Sequence, residues 1–275
     1  MRLIFALLAA ATLLTAVTPA GAQQRRREVQ SVAAAVPTPE PMRYCRKYGQ
    51  RDAKALLLGV DRSTGQIRPI DVAGINAAYA DLQSLMAEGD RVVVFTLFDH
   101  PSTRRVLFDD CRPGGPLGWT DTPHDAAEKR ADLRDFDHAL SAVITSVRDD
   151  RGATAPRAAQ RSAIASTLAA TVQSTRAEIK ALILMTDLLD TETMNLRPGT
   201  VVEEHIRRRT IESLWAAQLV PRLGGDAKVH VYGFGRGDEN PYAIIEPSVM
   251  TSIIQVWRDY FRRSGVNPAN TEFIP

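Results

Sequence analysis

Two short aliphatic runs, each followed at once by an acidic residue, constrain this chain more than any other feature. Lys54 to Val60 leads into Asp61-Arg62-Ser63-Thr64-Gly65, and Ala181 to Met185 leads into Thr186-Asp187. Each run is short, apolar and bounded by polar residues, the pattern of a strand buried on both faces of a parallel sheet. Each Asp would then stand at the carboxyl end of its strand. In open α/β sheets that edge is where ligands bind. Two carboxylates and a hydroxyl converging there would offer oxygen alone, a donor set suited to Mg²⁺ or another hard divalent cation.

The rest of the sequence repeats the alternation. After Lys54 to Val60 comes a helix with Val72, Ile75, Tyr79, Leu82 and Leu85 on one face, then a strand at Arg91 to Phe98. Asp99 to Thr103 contains Pro101 and reads as a turn, and Arg104 to Phe108 is short enough to be an antiparallel edge strand. Helices are expected around Leu133 to Val147 and around Ile164, Leu168 and Val172. The strand Ala181 to Met185 and a long loop to about Gly199 follow. A helix carrying Ile211, Leu214, Trp215 and Leu219 should stop at Gly224-Gly225, before a strand at Lys228 to Phe234 and a last helix with Ile253, Trp257, Tyr260 and Phe261. This order predicts a three-layer α/β fold, Rossmann-like in type: a mostly parallel central sheet, one antiparallel edge strand and helices on both faces.

A chain of 275 residues with 44% apolar content can bury one substantial core. Residues 1–22 read as a secretory signal: Arg2, an apolar stretch from Leu3 to Val17, Pro19, and a small-residue site ending Ala20-Gly21-Ala22. A retained anchor is the alternative, although the stretch is short for a membrane span and the mature chain contains no other candidate. Residues 23–42, with Arg25-Arg26-Arg27 and Pro37, Pro39 and Pro41, read as a linker, and the domain as residues 43–275. Cleavage would leave 33 basic against 32 acidic residues, a balance that argues against nucleic acid as a partner. Export makes the two cysteines informative. If Arg104 to Phe108 runs antiparallel, Cys45 and Cys111 fall at the same end of the sheet and a disulfide closing 66 residues is within reach; two independent buried thiols are the alternative.

With these residues attached, the order of elements resembles the von Willebrand factor A domain over about residues 50–262. The Asp-x-Ser-x-Ser of that family matches at Asp61 and Ser63 and fails at Gly65; its Thr-Asp-Gly matches at Thr186-Asp187 and fails at Leu188. The intervening Thr of the family falls at Ser162, with Thr154 as a second candidate. The resemblance implies a metal-ion-dependent adhesion site built by Asp61, Ser63, Ser162 and Asp187, degenerate at Gly65 and Leu188. It would hold Mg²⁺ or another divalent cation and accept an acidic side chain from a protein partner. Without metal, Asp61 and Asp187 would instead cap the helices that follow them. Even then, the loops Asp61 to Ile70, Pro113 to Thr122 and Leu188 to Gly199 would form a recognition face.

Other signals are weaker. Asp61-Arg62-Ser63 also resembles the aspartate loop of haloacid dehalogenase-like hydrolases, which implies a metal-dependent phosphoester hydrolase using Asp61. The second Asp of that loop is replaced by Ser63, which leaves no obvious proton donor for the leaving group. No Gly-x-Ser-x-Gly elbow occurs. His100, His124, His138, His205 and His230 have no metal-ligand spacing, so surface or structural roles are expected. Arg207-Arg208-Arg209 reads as a solvated helix face, and Gly233 to Asp238, including Arg236-Gly237-Asp238, reads as a turn. The expectation is a non-enzymatic, exported, periplasmic or secreted protein-binding module acting in envelope or secretion-associated assembly.

Overall fold

The computed structural model describes residues 41–50, 53–62, 69–98, 100–115, 122–149, 161–197, 199, 201–234 and 245–274, all within one unit spanning 36–275. The expected signal and most of the linker lie outside the described residues. So do Ser63, Gly65, Thr154 and Arg236-Gly237-Asp238.

The described residues form six strands: β1 (Ala55–Asp61), β2 (Arg91–Leu97), β3 (Val106–Cys111), β4 (Ile179–Met185), β5 (Lys228–Tyr232) and β6 (Thr271–Ile274). They form one sheet in the order β3-β2-β1-β4-β5-β6. Every pair is parallel except β2 with β3. The helices are α1 (Arg43–Lys47), α2 (Pro69–Leu85), α3 (Pro123–Asp149), α4 (Ile164–Thr175), α5 (Glu204–Ala216) and α6 (Pro247–Arg263). The three-layer α/β reading holds.

The continuous apolar strands are explained by burial on both sides. Leu56, Leu58 and Val60 of β1 pack with Ile75 and Leu82 of α2 and Phe136 and Leu140 of α3. Leu57, one step out of phase, packs on the other face with Ile164 and Leu168 of α4 and Trp257 and Tyr260 of α6. Gly59 lets the Phe95 ring lie over β1, since a Cβ there would meet Phe95 Cζ at 2.8 Å. The rings of Trp257, Tyr260 and Phe261 contact one another with centroids 5.2 to 5.7 Å apart, which makes α6 the most aromatic wall of the core.

Several expected boundaries move, for local reasons. The hairpin strand begins at Val106 rather than Arg104, because Pro101–Thr103 form a 3₁₀ turn closed by Arg104 N donating to Pro101 O. It extends to Cys111 because its two acidic residues have structural partners. Asp109 takes a two-pronged bond from Arg91 at 2.7 and 2.9 Å, and buried Asp110 accepts from the backbone of Tyr44 and Cys45 at 2.8 and 3.1 Å. Helix α5 ends at Ala216 instead of running to Gly224-Gly225, as Gln218 turns to a φ of 61°. Trp215 is therefore not a core residue: it is 37% exposed, with the Arg263 guanidinium over its ring at 4.3 Å. The basic run on α5 is only partly a solvated face, since Arg207 pairs with Asp259 of α6 at 2.6 Å. Helix α1 and strand β6 are additions that the periodicity did not reveal. Each is too short for a pattern and is held by distant partners, Asp110 for α1 and β5 for β6.

Cys45 and Cys111 form a disulfide, with Cα atoms 4.7 Å apart. It joins α1 to the last residue of β3, beside the Asp110 carboxylate that anchors the same turn. Closing 66 residues contributes about 4 kcal/mol in the chain-entropy model. The Cys45→Ala/Cys111→Ala variant should lose stability of that order in urea unfolding, and the non-reduced wild-type protein should be lighter than its reduced form by two hydrogens.

Candidate functional site

The carboxyl edge of the sheet gathers the candidate residues by strand register. β1 and β4 are parallel neighbours with Val60 opposite Met185, which brings Asp61 and Thr186 side by side. Thr186 Oγ1 donates to Asp61 Oδ2 at 2.8 Å, and Ser162 Oγ donates to the same oxygen at 3.4 Å. Two hydroxyls from two separate segments thus converge on the carboxylate of a third.

Ser162 is placed by its backbone. Its N–H donates to Thr191 Oγ1 at 3.0 Å, its carbonyl accepts from Glu192 N at 3.1 Å, and Ala163 N donates to Phe98 O at 2.9 Å just past β2. The segment before α4 is therefore wedged between the end of β2 and the loop after β4. Ser162 is 3% exposed.

Asp190 holds that loop in place. It is fully buried, and its carboxylate accepts from Ala165 N at 2.7 Å, Thr193 N at 2.6 Å and Met194 N at 3.2 Å. Ala163, at the N-cap of α4, offers no side-chain cap, so the helix receives its anionic cap from Asp190 across the fold. Burial pushes the Asp190 carboxyl up to about 6, against the opposing pull of its backbone donors. The sequence reading missed this residue. The signal was faint: Asp190 follows the pair Leu188-Leu189 but is itself followed by the polar run Thr191-Glu192-Thr193.

Leu188 and Asp187 complete the turn. Leu188 adopts a left-handed φ of 67°, where a glycine is free of strain, and is fully buried. Its carbonyl accepts from the Trp257 indole at 3.0 Å, and its N–H donates to Thr186 Oγ1 at 3.1 Å. The same hydroxyl thus accepts from the turn and donates to Asp61. Asp187 Oδ1 accepts from Leu189 N at 2.8 Å, so this carboxylate caps its own turn. Asp187 therefore caps its own turn and not a helix, since the helix that follows it begins only at Glu204. Thr186, noted in the sequence only as part of the Thr-Asp pair, is the residue the fold presents to Asp61.

The donor set is carboxylate and hydroxyl, which fits a hard cation that keeps several of its waters; Asp61, Ser162 and Thr186 would hold it. Among the described residues, no group of three or more His, Cys, Asp or Glu is placed to hold a metal ion. The histidines are elsewhere: His230 joins β5 to α2 through Asp81 at 2.5 Å, and His205 faces Glu203 at 3.2 Å. Comparison of the sequence with models of protein families and with curated proteins gives no match.

Two outcomes test this local structure. Leu188→Gly relieves the left-handed strain but empties a buried site, so it should destabilise the fold by about 2 kcal/mol in urea unfolding. The raised Asp190 carboxyl favours the folded state most below the unfolded value near 4, and that contribution is lost as pH rises towards 6. Wild-type stability should therefore carry a component that falls by about 3 kcal/mol across this window. Asp190→Asn, which cannot satisfy all three backbone donors, should be less stable at each pH and should lack that component.

Proposed function

We propose that this protein is a non-catalytic protein-binding module of the von Willebrand factor A type, exported from the cell, with its recognition face at the carboxyl edge around Asp61, Ser162 and Thr186. The single observation that carries this reading is the convergence of two hydroxyls from distant segments on Asp61 Oδ2. The strand order, with the antiparallel strand at one edge, supports the same reading.

In this reading Asp61, Ser162 and Thr186 hold a divalent cation together with waters, Ser63 adds a hydroxyl, and Asp187 contributes negative charge beside the site. The cation's contribution, once bound, is a positive centre for an acidic side chain of the partner. Gly65 supplies no third hydroxyl in the first loop, so a water takes that place and affinity is modest. Leu188 keeps the second loop in its turn without adding a ligand. Export is supported by the Cys45–Cys111 bridge, which persists in oxidising compartments. Among the described residues, no helix is long and apolar enough to cross a membrane.

Thermal unfolding in EDTA, Mg²⁺ or Mn²⁺ tests the proposal. A cation at about 100 times its dissociation constant adds about 2.7 kcal/mol, which should raise the midpoint by about 5 °C or more. Asp61→Ala and Ser162→Ala should abolish the rise. A midpoint indifferent to metal would remove the cation from the proposal. Asp61-dependent hydrolysis of a generic phosphoester with Mg²⁺ would overturn it in favour of a phosphoester hydrolase.

A further inference from the structure

The amino-terminal edge of the sheet carries a groove of about 780 Å³ between the carboxyl ends of α4 and α5 and the segment 217–222 that leads towards β5. Val172 and Val220 supply a buried apolar floor. Trp215 stands in its wall, more than a third exposed, with the Arg263 guanidinium over one face of its ring. Arg176 and Arg222 stand exposed at the rim, and no lining residue is acidic. Neither of these two arginines has an ion-pair partner among the described residues. This sets them apart from Arg91, which is committed to Asp109 and Thr175 O.

Two features of this surface select an occupant. Unpaired guanidinium groups call for carboxylates. An apolar floor beneath an exposed indole calls for an apolar side chain. A simple inorganic anion would use only the first of these. Nucleic acid is disfavoured by the near-balanced formal charge of +2 on the chain. The chain's own residues 23–40 carry Arg25-Arg26-Arg27 against two acids, Glu28 and Glu40, so the rim would repel them.

We propose that this groove binds an extended acidic segment of a partner protein, with Arg176 and Arg222 taking its carboxylates and Trp215 covering an apolar side chain. The site lies on the edge opposite Asp61 and stands whether or not a cation binds there.

Fluorescence anisotropy with the full-length protein and a labelled octapeptide of Glu and Asp around one central Leu tests it. Saturable binding is expected, weakened about tenfold between about 50 and about 300 mM salt. Arg176→Glu/Arg222→Glu should weaken it by about tenfold or more with an unchanged unfolding midpoint, since both side chains are exposed. Trp215→Ala should weaken binding of this peptide but not of its counterpart with Gly in place of Leu. Asp61→Ala should bind as wild type, which separates this site from the cation site. Absence of saturable binding, or equal binding by the double arginine variant, would overturn the proposal. Displacement by inorganic phosphate at equal concentration would reduce the groove to a simple anion site. Tighter, arginine-dependent capture by phosphatidylglycerol vesicles would assign it to a lipid surface instead.

Discussion

The parallel pairing of β1 with β4 is the constraint on which the carboxyl edge depends. These strands are distant in sequence, yet the register that sets Leu58 against Ile183 and Val60 against Met185 brings Asp61 to Thr186. A slip of one residue would turn Leu56, Leu58 and Val60 away from α2 and α3 and would also part the carboxylate from the hydroxyl. The core therefore specifies the site. The same side chains that fill the two helical layers fix where the polar atoms at the strand ends meet.

Buried polar groups then lock the loops that the sheet leaves open. Asp190 ties the turn after β4 to the first turn of α4, and this holds Ser162 against Asp61. Trp257 reaches from α6 to the Leu188 carbonyl, while the one hydrogen of the Tyr260 hydroxyl is shared between Leu219 O at 2.9 Å and Ala165 O at 3.3 Å. Burial of Asp190 is partly offset by its backbone donors, and losing any partner would leave an unsatisfied group in a low-dielectric interior. At the opposite edge Asp110 plays the equivalent part for α1, next to the disulfide. Each edge thus rests on one buried aspartate that accepts bonds from a distant backbone.

The two edges differ in chemistry. The carboxyl edge offers oxygen: Asp61, Ser162 and Thr186 with their shared bonds. The amino edge offers nitrogen over an apolar floor, with Arg176 and Arg222 beside Trp215. In the proposed function the first edge engages a partner through a cation and the second takes an acidic segment directly. A binding module with two such faces would bridge two acidic surfaces or grip one extended partner at both ends.

The sequence by itself determined the layer architecture, because strands buried on both faces must be continuously aliphatic and the helices between them must show one apolar stripe. It also marked Asp61 and Thr186-Asp187 as strand-end residues, since polar atoms appear where burial stops. It left open the pairing of Cys45 with Cys111, which depended on the direction of β3. Only the tertiary structure decided that Thr186 rather than its neighbour meets Asp61, that Asp190 is the anchor, and that Trp215 lies on a groove instead of in the core. Short elements such as α1 and β6 were illegible for the same reason. Fewer than two turns of helix, or four residues of strand, carry too little periodicity to declare themselves, and they exist because Asp110 and β5 supply the hydrogen bonds their own segments cannot.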